Sequence, residues 1–316
     1  MARNGTSRDL WRRLVRWLFI GMALVAGFHL LQLDPPFASR DFEQPVRVVF
    51  IPADGGTASG TLADFKPLFA ALTESTGMRF ELNVTQSYSA AVEALCNGTA
   101  DLAFVGPATY LQAHGRHCAD LLATGVRDGR AQYYSGIFVR KDAPYRTIAD
   151  LRGSRMAFGD INSTSSFIMP VAMLLDAGID PAHDLAEARL TGSHPNNLAA
   201  LASARVDAVA MSFDSFDRAL QAGLPGLDSV RVLARSEPMP YPPFTVSTRL
   251  APDRRRRLRD GFAKLEKGRR HLPGYAGRQL DRYTAHVNER AFDDLAVRLA
   301  PVTGERVAAI LRRTDR

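Results

Sequence analysis

The stretch from Phe158 to Ser166 (Phe-Gly-Asp-Ile-Asn-Ser-Thr-Ser-Ser) concentrates groups that can hold an anion. A β-like run, Arg155 to Phe158, stops at Gly159, and a helix-like segment runs from about Ser165 to Ala177. This puts four hydroxyls, on Ser163, Thr164, Ser165 and Ser166, at a helix N-terminus. The first N–H groups of a helix have no intrahelical acceptor and lie at the positive end of its dipole, so such a place attracts anions. Hydroxyls add neutral donors there. The same residue types also serve as ordinary N-caps. One cap needs one hydroxyl and four exceed that need, but this segment alone leaves both readings open.

In parallel α/β sheets ligands sit beyond the C-terminal ends of the strands. The residues expected there are Pro52–Gly56, Gln86-Ser87-Tyr88, Gly106–Tyr110, Asn162–Ser166, Gly192-Ser193-His194 and Ser212-Phe213-Asp214. Every polar side chain singled out among them, Tyr88, Tyr110, Ser163, Thr164, Ser165 and His194, can donate a hydrogen bond, whereas Asp214 cannot when ionised. Taken singly, each has a plainer role. Tyr88 and Tyr110 suit packing, His194 suits a helix start, and Asp214 suits an N-cap. Their joint placement at strand ends favours a small oxyanion held by neutral donors. No Lys or Arg falls among these positions. The sequence lacks G-x-S-x-G, G-x-G-x-x-G and the P-loop pattern, and no paired carboxylates recur at strand ends. A binding protein without catalytic residues or a cofactor is therefore expected, not an enzyme.

The elements that must carry these residues alternate. Strand-like Val46–Ile51 precedes an amphipathic helix, Leu62–Thr76, with Leu62, Phe65, Leu68, Phe69 and Leu72 on one stripe. A strand at Phe80–Val84, a helix at Tyr88–Cys96 and a buried strand at Ala100–Val105 follow. The same grammar returns from Arg155 to Ala222. Between the two series lies an extended run, Tyr133–Arg140, and a second such run, Phe244–Thr248, follows the Pro-rich Pro238–Pro243. The pattern predicts an α/β protein of two lobes, each a mainly parallel sheet flanked by helices, with two hinge crossings. Residues 41–136 and 244–316 form the first expected lobe, and 137–243 the second. The C-terminal part, from Pro252, reads as helices broken near Pro273-Gly274 and Pro301, packed back on the first lobe.

The chain has 316 residues, 46% hydrophobic and 23% charged, which suits two globular domains. Residues 1–40 stand apart: Arg3, Arg8, Arg12, Arg13 and Arg16 precede an apolar run from Trp17 to Leu33. This is the pattern of a signal peptide or a membrane anchor, with cleavage near Ala38 or Ser39 and an uncleaved anchor both open. Five Arg and two Asp within residues 1–39 account for +3 of the net +7. The mildly basic remainder suits an anionic ligand, and its basic residues are not interleaved with aromatics as nucleic-acid binding would require. Export would put Cys96 and Cys118 in an oxidising compartment, where one disulfide between them and two separate thiols are both open. A metal site at either is not expected.

Several segments in order resemble the phosphonate/phosphite substrate-binding proteins of ABC importers. They are Gly159–Ser166, the helix ending Leu174-Leu-Asp-Ala-Gly-Ile-Asp180, Thr191-Gly-Ser-His194, Asp101–Tyr110, Tyr134–Lys141, Thr147–Gly153 and Val206–Val209. The resemblance runs from about Val46 to Glu266, and more weakly to Val302. It implies a type II periplasmic binding fold that closes on its ligand, and a monomer that hands a phosphonate or phosphite to an ABC permease. It also implies that Ser163, Thr164 and Ser165 grip the ligand's oxygens, that Tyr88 and His194 donate from either lobe, and that Asp214 faces the ligand's far side. Tyr110 is a further match. Val105 stands where some members carry an aromatic residue, and Met211 and Phe213 flank Asp214 where amine-binding members are more polar. Both departures argue against an aminophosphonate. A carboxylate beside an oxyanion needs a proton or an amine between them. On this reading a monoprotonated phosphorus oxyanion is accepted and sulfate rejected. A membrane-anchored sensing domain serving a separate kinase is the main alternative, and an enzyme on the same fold a lesser one.

Overall fold

The computed structural model describes residues 44–52, 57–267 and 272–314. The expected signal peptide or anchor lies outside the described residues. No helix among them is long and apolar enough to cross a membrane.

The first lobe is built on a six-stranded sheet. Its strands are β1 (Val46–Phe50), β2 (Phe80–Val84), β3 (Leu102–Phe104), β4 (Ala119–Val126), β12 (Pro243–Ser247) and β15 (Arg282–Thr284), in the order β15-β4-β12-β3-β1-β2. The second lobe holds β6 (Ser135–Arg140), β7 (Arg155–Phe158), β8 (Glu187–Leu190), β9 (Ala208–Ser212) and β10 (Val230–Arg235), in the order β10-β6-β9-β7-β8. Each sheet has a parallel triplet, β2-β1-β3 and β8-β7-β9, joined to an antiparallel strand that arrives from the other lobe, β12 or β6. The halves repeat down to one ion pair. Arg47 on β1 donates to Asp101 just before β3, at 2.7 Å, and Arg155 on β7 donates to Asp207 just before β9, at 2.8 Å.

Strand alternation divides the second lobe's core. Ile137, Val139, Met156, Phe158, Ala208 and Ala210 face one side, while Phe138, Ala157, Val209 and Met211 face the other. Side chains of period two on a sheet covered on both faces give this result. In the first lobe Phe50, Phe65, Phe69, Phe104 and Phe244 form one aromatic knot, with Phe65 and Phe104 centroids 4.7 Å apart. Each such buried ring contributes about 1.5–3 kcal/mol.

Helix α1 (Ala58–Thr76) begins at Thr57, whose hydroxyl accepts from the Gly60 N–H, and ends at Gly77, with φ +69°. Helix α2 (Tyr88–Asn97) follows β2, and α3 (Pro107–Gly115) follows β3. A disulfide joins Cys96, in the last turn of α2, to Cys118, just before β4. It closes a separation of 22 residues, which restricts the unfolded chain by roughly 3 kcal/mol.

The two crossings pair as a small sheet, β5 (Gln132–Tyr133) with β11 (Met239–Pro240). The chain enters the second sheet at Ser135 and returns to the first at Pro243. The C-terminal region departs from expectation. Helix α7 (Pro252–Lys267) packs on α1, and β13 (Leu272–Pro273), β14 (Gln279–Leu280) and β15 are short strands, not helix. Helix α8 (Glu289–Leu299) buries Phe292 and Leu295 in the first core. The last helix, α9 (Gly304–Thr314), crosses to the second lobe, where Ile310 joins its core and Arg306 meets Asp180 at 3.2 Å.

Candidate functional site

Three second-lobe helices start at the C-terminal ends of the parallel strands: α4 (Met169–Asp176), α5 (His194–Ala202) and α6 (Phe213–Gln221). The loop and turn before α4 face the starts of α2 and α3 across the lobe junction. Helix α4 is preceded by a π-helical turn, Thr164–Ile168, in which the Met169 N–H donates to the Thr164 carbonyl. Such widened turns are frequent at functional sites. Gly159 lies so close to this turn that a Cβ there would stand 2.2 Å from Ser166 Oγ. Only glycine fits, because the strand end and the turn are joined by a Gly159 N–H bond to the Ser166 carbonyl.

The four hydroxyls divide their work. Ser163 Oγ accepts from the Ser166 N–H, the ordinary cap. Thr164 Oγ1 accepts from the Ala108 N–H at 2.8 Å, so a second-lobe hydroxyl sits on the start of first-lobe helix α3. The close approach needs Gly106, where a Cβ would meet Thr164 Oγ1 at 3.0 Å. Among the described residues the Ser165 and Ser166 hydroxyls have no hydrogen-bond partner, although the Ser165 carbonyl accepts from Ser135 Oγ. All four residues are buried.

Further bonds run along this seam, all but one of them neutral. Thr109 Oγ1 donates to the Asn162 carbonyl, Gln112 donates to its side-chain oxygen, and the Tyr88 N–H points at the Asp160 carboxylate at 3.5 Å. Burial raises the Asp160 pKa against these amide contacts. Tyr88 is buried beside this contact.

His194 is fully buried, and burial pushes its pKa down to about 4, so the ring is neutral at pH 7. Its Nε2 lies 3.0 Å from the hydroxyl of Tyr275, which also contacts Ser212 Oγ at 3.1 Å and Ser215 Oγ at 3.2 Å. His194 Nδ1 is buried with no hydrogen-bond partner among the described residues. Tyr275 belongs to the first lobe and was missed by sequence reading. It follows Pro273-Gly274 in a segment read as broken helix, and only the tertiary fold brings it to the start of α6.

Asp214 and Tyr110 have surroundings of their own. Asp214, 1% exposed, is ion-paired with Arg127, with Arg278 at 4.0 Å. Burial raises its pKa and the two guanidinium groups oppose that rise. Its counter-charge is therefore the protein's own arginine and not a ligand proton, and the argument that sulfate must be rejected loses its basis. Arg127 follows β4, an antiparallel strand outside the parallel series whose ends are expected to carry ligand-binding residues. Tyr110 also departs from the site. It lies about 200° around α3 from Ala108, with its ring 5.1 Å from Phe292 of α8. Its hydroxyl, pushed up to about 12 by burial, belongs to a separate 290 Å³ pocket with Asp120, Glu289 and Asp293.

The architecture is that of a two-lobed type II periplasmic binding protein, with hydroxyls and helix starts where the lobes meet. The family described as "ABC transporter, phosphonate, periplasmic substrate-binding protein" matches residues 56–289, and the chain belongs to it. It is 28% identical over 187 residues to the phosphate-import protein PhnD of Mycolicibacterium smegmatis, which covers 56% of this chain and 57% of that relative. The chain thus spans little more than half the length of that relative. It is 22% identical over 255 residues to the phosphonates-binding periplasmic protein of Escherichia coli, covering 79% of this chain and 75% of the relative. The fold is shared with PhnD1 of Prochlorococcus marinus, solved with methylphosphonate, at TM-score 0.68 and 17% identity, covering 81% of this chain and 97% of that one.

Proposed function

We propose that this protein is the periplasmic receptor of an ABC importer and that it closes its two lobes on a phosphorus oxyanion. The observation that carries this reading is the Ser163–Ser166 turn. It sets hydroxyls at a helix start and meets the α3 start of the opposite lobe through Thr164 and Ala108. Oxyanions are held by such N–H groups and neutral hydroxyls. In this reading Ser163, Thr164 and Ser165 bind the oxygens, and Tyr88 and His194 close the site from either side. Arg127 holds Asp214 as part of the wall. The protein binds and releases its ligand without turning it over, and the permease is its partner.

The relatives' names cover both phosphate and phosphonates, so a thermal-shift panel tests the reading. It comprises phosphite, methylphosphonate, 2-aminoethylphosphonate, phosphate and sulfate. A ligand at 100 times its dissociation constant stabilises the folded state by about 2.7 kcal/mol. At least one phosphorus oxyanion is expected to shift the melting curve, and Thr164→Val to reduce that shift. No shift with any of them, or a shift with sulfate alone, overturns the proposal.

A further inference from the structure

His194 and Tyr275 meet across the lobe junction, and the hydroxyls around them fix which ring nitrogen holds the proton. Ser212 Oγ donates to Ser215 Oγ at 2.8 Å and accepts the Ser215 N–H. Tyr275 Oη lies 3.2 Å from Ser215 Oγ, 3.1 Å from Ser212 Oγ and 3.0 Å from His194 Nε2. All four residues are buried. A phenol is a stronger acid than an aliphatic hydroxyl, and an imidazole nitrogen is a stronger base than a hydroxyl oxygen. The phenolic proton therefore goes to Nε2. The Tyr275 oxygen can then accept from Ser215, so the donors run one way: Ser212 to Ser215, Ser215 to Tyr275, Tyr275 to His194. Hydrogen bonds in such a chain strengthen one another.

A neutral imidazole carries one N–H, and the bond made by one nitrogen sets the state of the other. Burial keeps this ring neutral at pH 7. With Nε2 accepting from Tyr275, the N–H is at Nδ1, which is buried with no hydrogen-bond partner among the described residues. Buried polar atoms without a partner are rare, and each needs a reason. A ligand oxygen would supply the missing acceptor, whereas the other tautomer would turn a bare lone pair toward an anion.

Tyr275 is held for this contact by its own loop, which belongs to the first core. The next two residues, Ala276 (φ +56°) and Gly277 (φ +63°), are both left-handed. Outside glycine that conformation is uncommon and persists where the surroundings impose it. The surroundings here are tight: a Cβ on Gly277 would stand 3.1 Å from side-chain atoms of both Arg218 and Asp64, the pair that joins the lobes.

We infer that Tyr275 is a positioning residue for ligand binding: reaching over from the first lobe, it fixes His194 in the Nδ1–H tautomer, so that the second lobe gains a neutral donor for the ligand's oxygens as the lobes come together. The inference rests on the oxyanion reading above.

The test uses the intact chain with phosphite, methylphosphonate, 2-aminoethylphosphonate and phosphate. In the ligand-bound chain, nitrogen-15 NMR is expected to show His194, assigned by its absence from His194→Leu, protonated at Nδ1 and not at Nε2. Tyr275→Phe keeps the ring and removes the hydroxyl. Calorimetry on it is expected to show affinity at least about tenfold weaker, the worth of one hydrogen bond to a charged group. His194→Leu is expected to lose as much. In the His194→Leu background Tyr275→Phe is expected to cost under about twofold, because Tyr275 acts through the ring; a merely structural tyrosine would cost the same in both backgrounds. Protonation at Nε2 in the bound chain, undiminished affinity in either single variant, or equal losses in the two backgrounds overturns the inference and leaves the oxyanion reading intact. If none of the four ligands binds the unaltered chain, the oxyanion reading falls and the inference with it. Should a variant not fold, or bind too weakly to measure, the tautomer in the unaltered chain decides alone.

Discussion

The lobes meet along two seams of opposite chemistry. On one, side-chain charges pair across the junction: Arg127 with Asp214, Arg278 near Asp214 and Asp217, and Arg218 with Asp64. On the other, every bond but the Tyr88 N–H to Asp160 is neutral, and most involve helix starts or the hydroxyl-bearing turn: Ala108 to Thr164, Thr109 to Asn162 and Gln112 to Asn162. The neutral seam spends the same donors that an oxyanion would use. The charged seam spends groups whose pairing does not require the helix N–H groups, so it aligns the lobes without competing for ligand.

The comparison is broken most severely at Arg127. Arg127→Met leaves the buried Asp214 carboxylate without its main partner, and loss of one member of a buried pair costs about 3–5 kcal/mol. Urea denaturation should show that loss, and adding Asp214→Asn should recover a large part of it. If the double variant is no more stable than the single one, the pair is not the coupling.

Next comes the neutral contact at His194. Its folded pKa, about 4, lies below the ordinary value of 6.5. The unfolded chain therefore takes the proton first. The corresponding stability is complete above pH 6.5 and is lost as pH falls to 4, by about 3 kcal/mol. His194→Gln should flatten that part of the stability profile, and an unchanged slope would assign it to other groups.

Thr164→Val leaves the Ala108 N–H without an acceptor, at a cost of about 1–3 kcal/mol, readable in the same denaturation assay. A change below a few tenths would show that the neutral seam does not hold the lobes. The smallest effect is expected at Asp64→Asn. The pair is partly exposed, so its loss should cost under about 1 kcal/mol and shrink further in 1 M salt. A salt-independent loss would mean that packing, not charge, acts there.

Much of this was legible in the sequence for reasons of period and punctuation. The alternation of strand and helix and the hydroxyl turn after Gly159 are local signals, and the structure forms each where local chemistry requires. The pairing of Cys96 with Cys118, left open by spacing, is made. What was missed depends on distant chain segments. Arg127, Arg278 and Tyr275 reach the lobe junction through antiparallel pairing and short strands, β13 to β15, whose two- and three-residue runs carry no readable period. Tyr110 follows the right strand, but the turn of its helix carries it to α8. The ion pair of Asp214 carries no local signal, because its partner Arg127 lies 87 positions earlier.

Helix α9 has a mechanical consequence. After α8 ends in the first lobe, residues 300–303 carry the chain into the second, where Ile310 is wholly buried. The lobes are thus joined by three covalent tethers and not two. Two adjacent tethers define an axis about which a body can swing, whereas a third one off that axis sets how far the swing can go. The four residues 300–303 span at most about 14 Å, so the lobe opening that the proposed function requires is bounded by the length of a C-terminal leash.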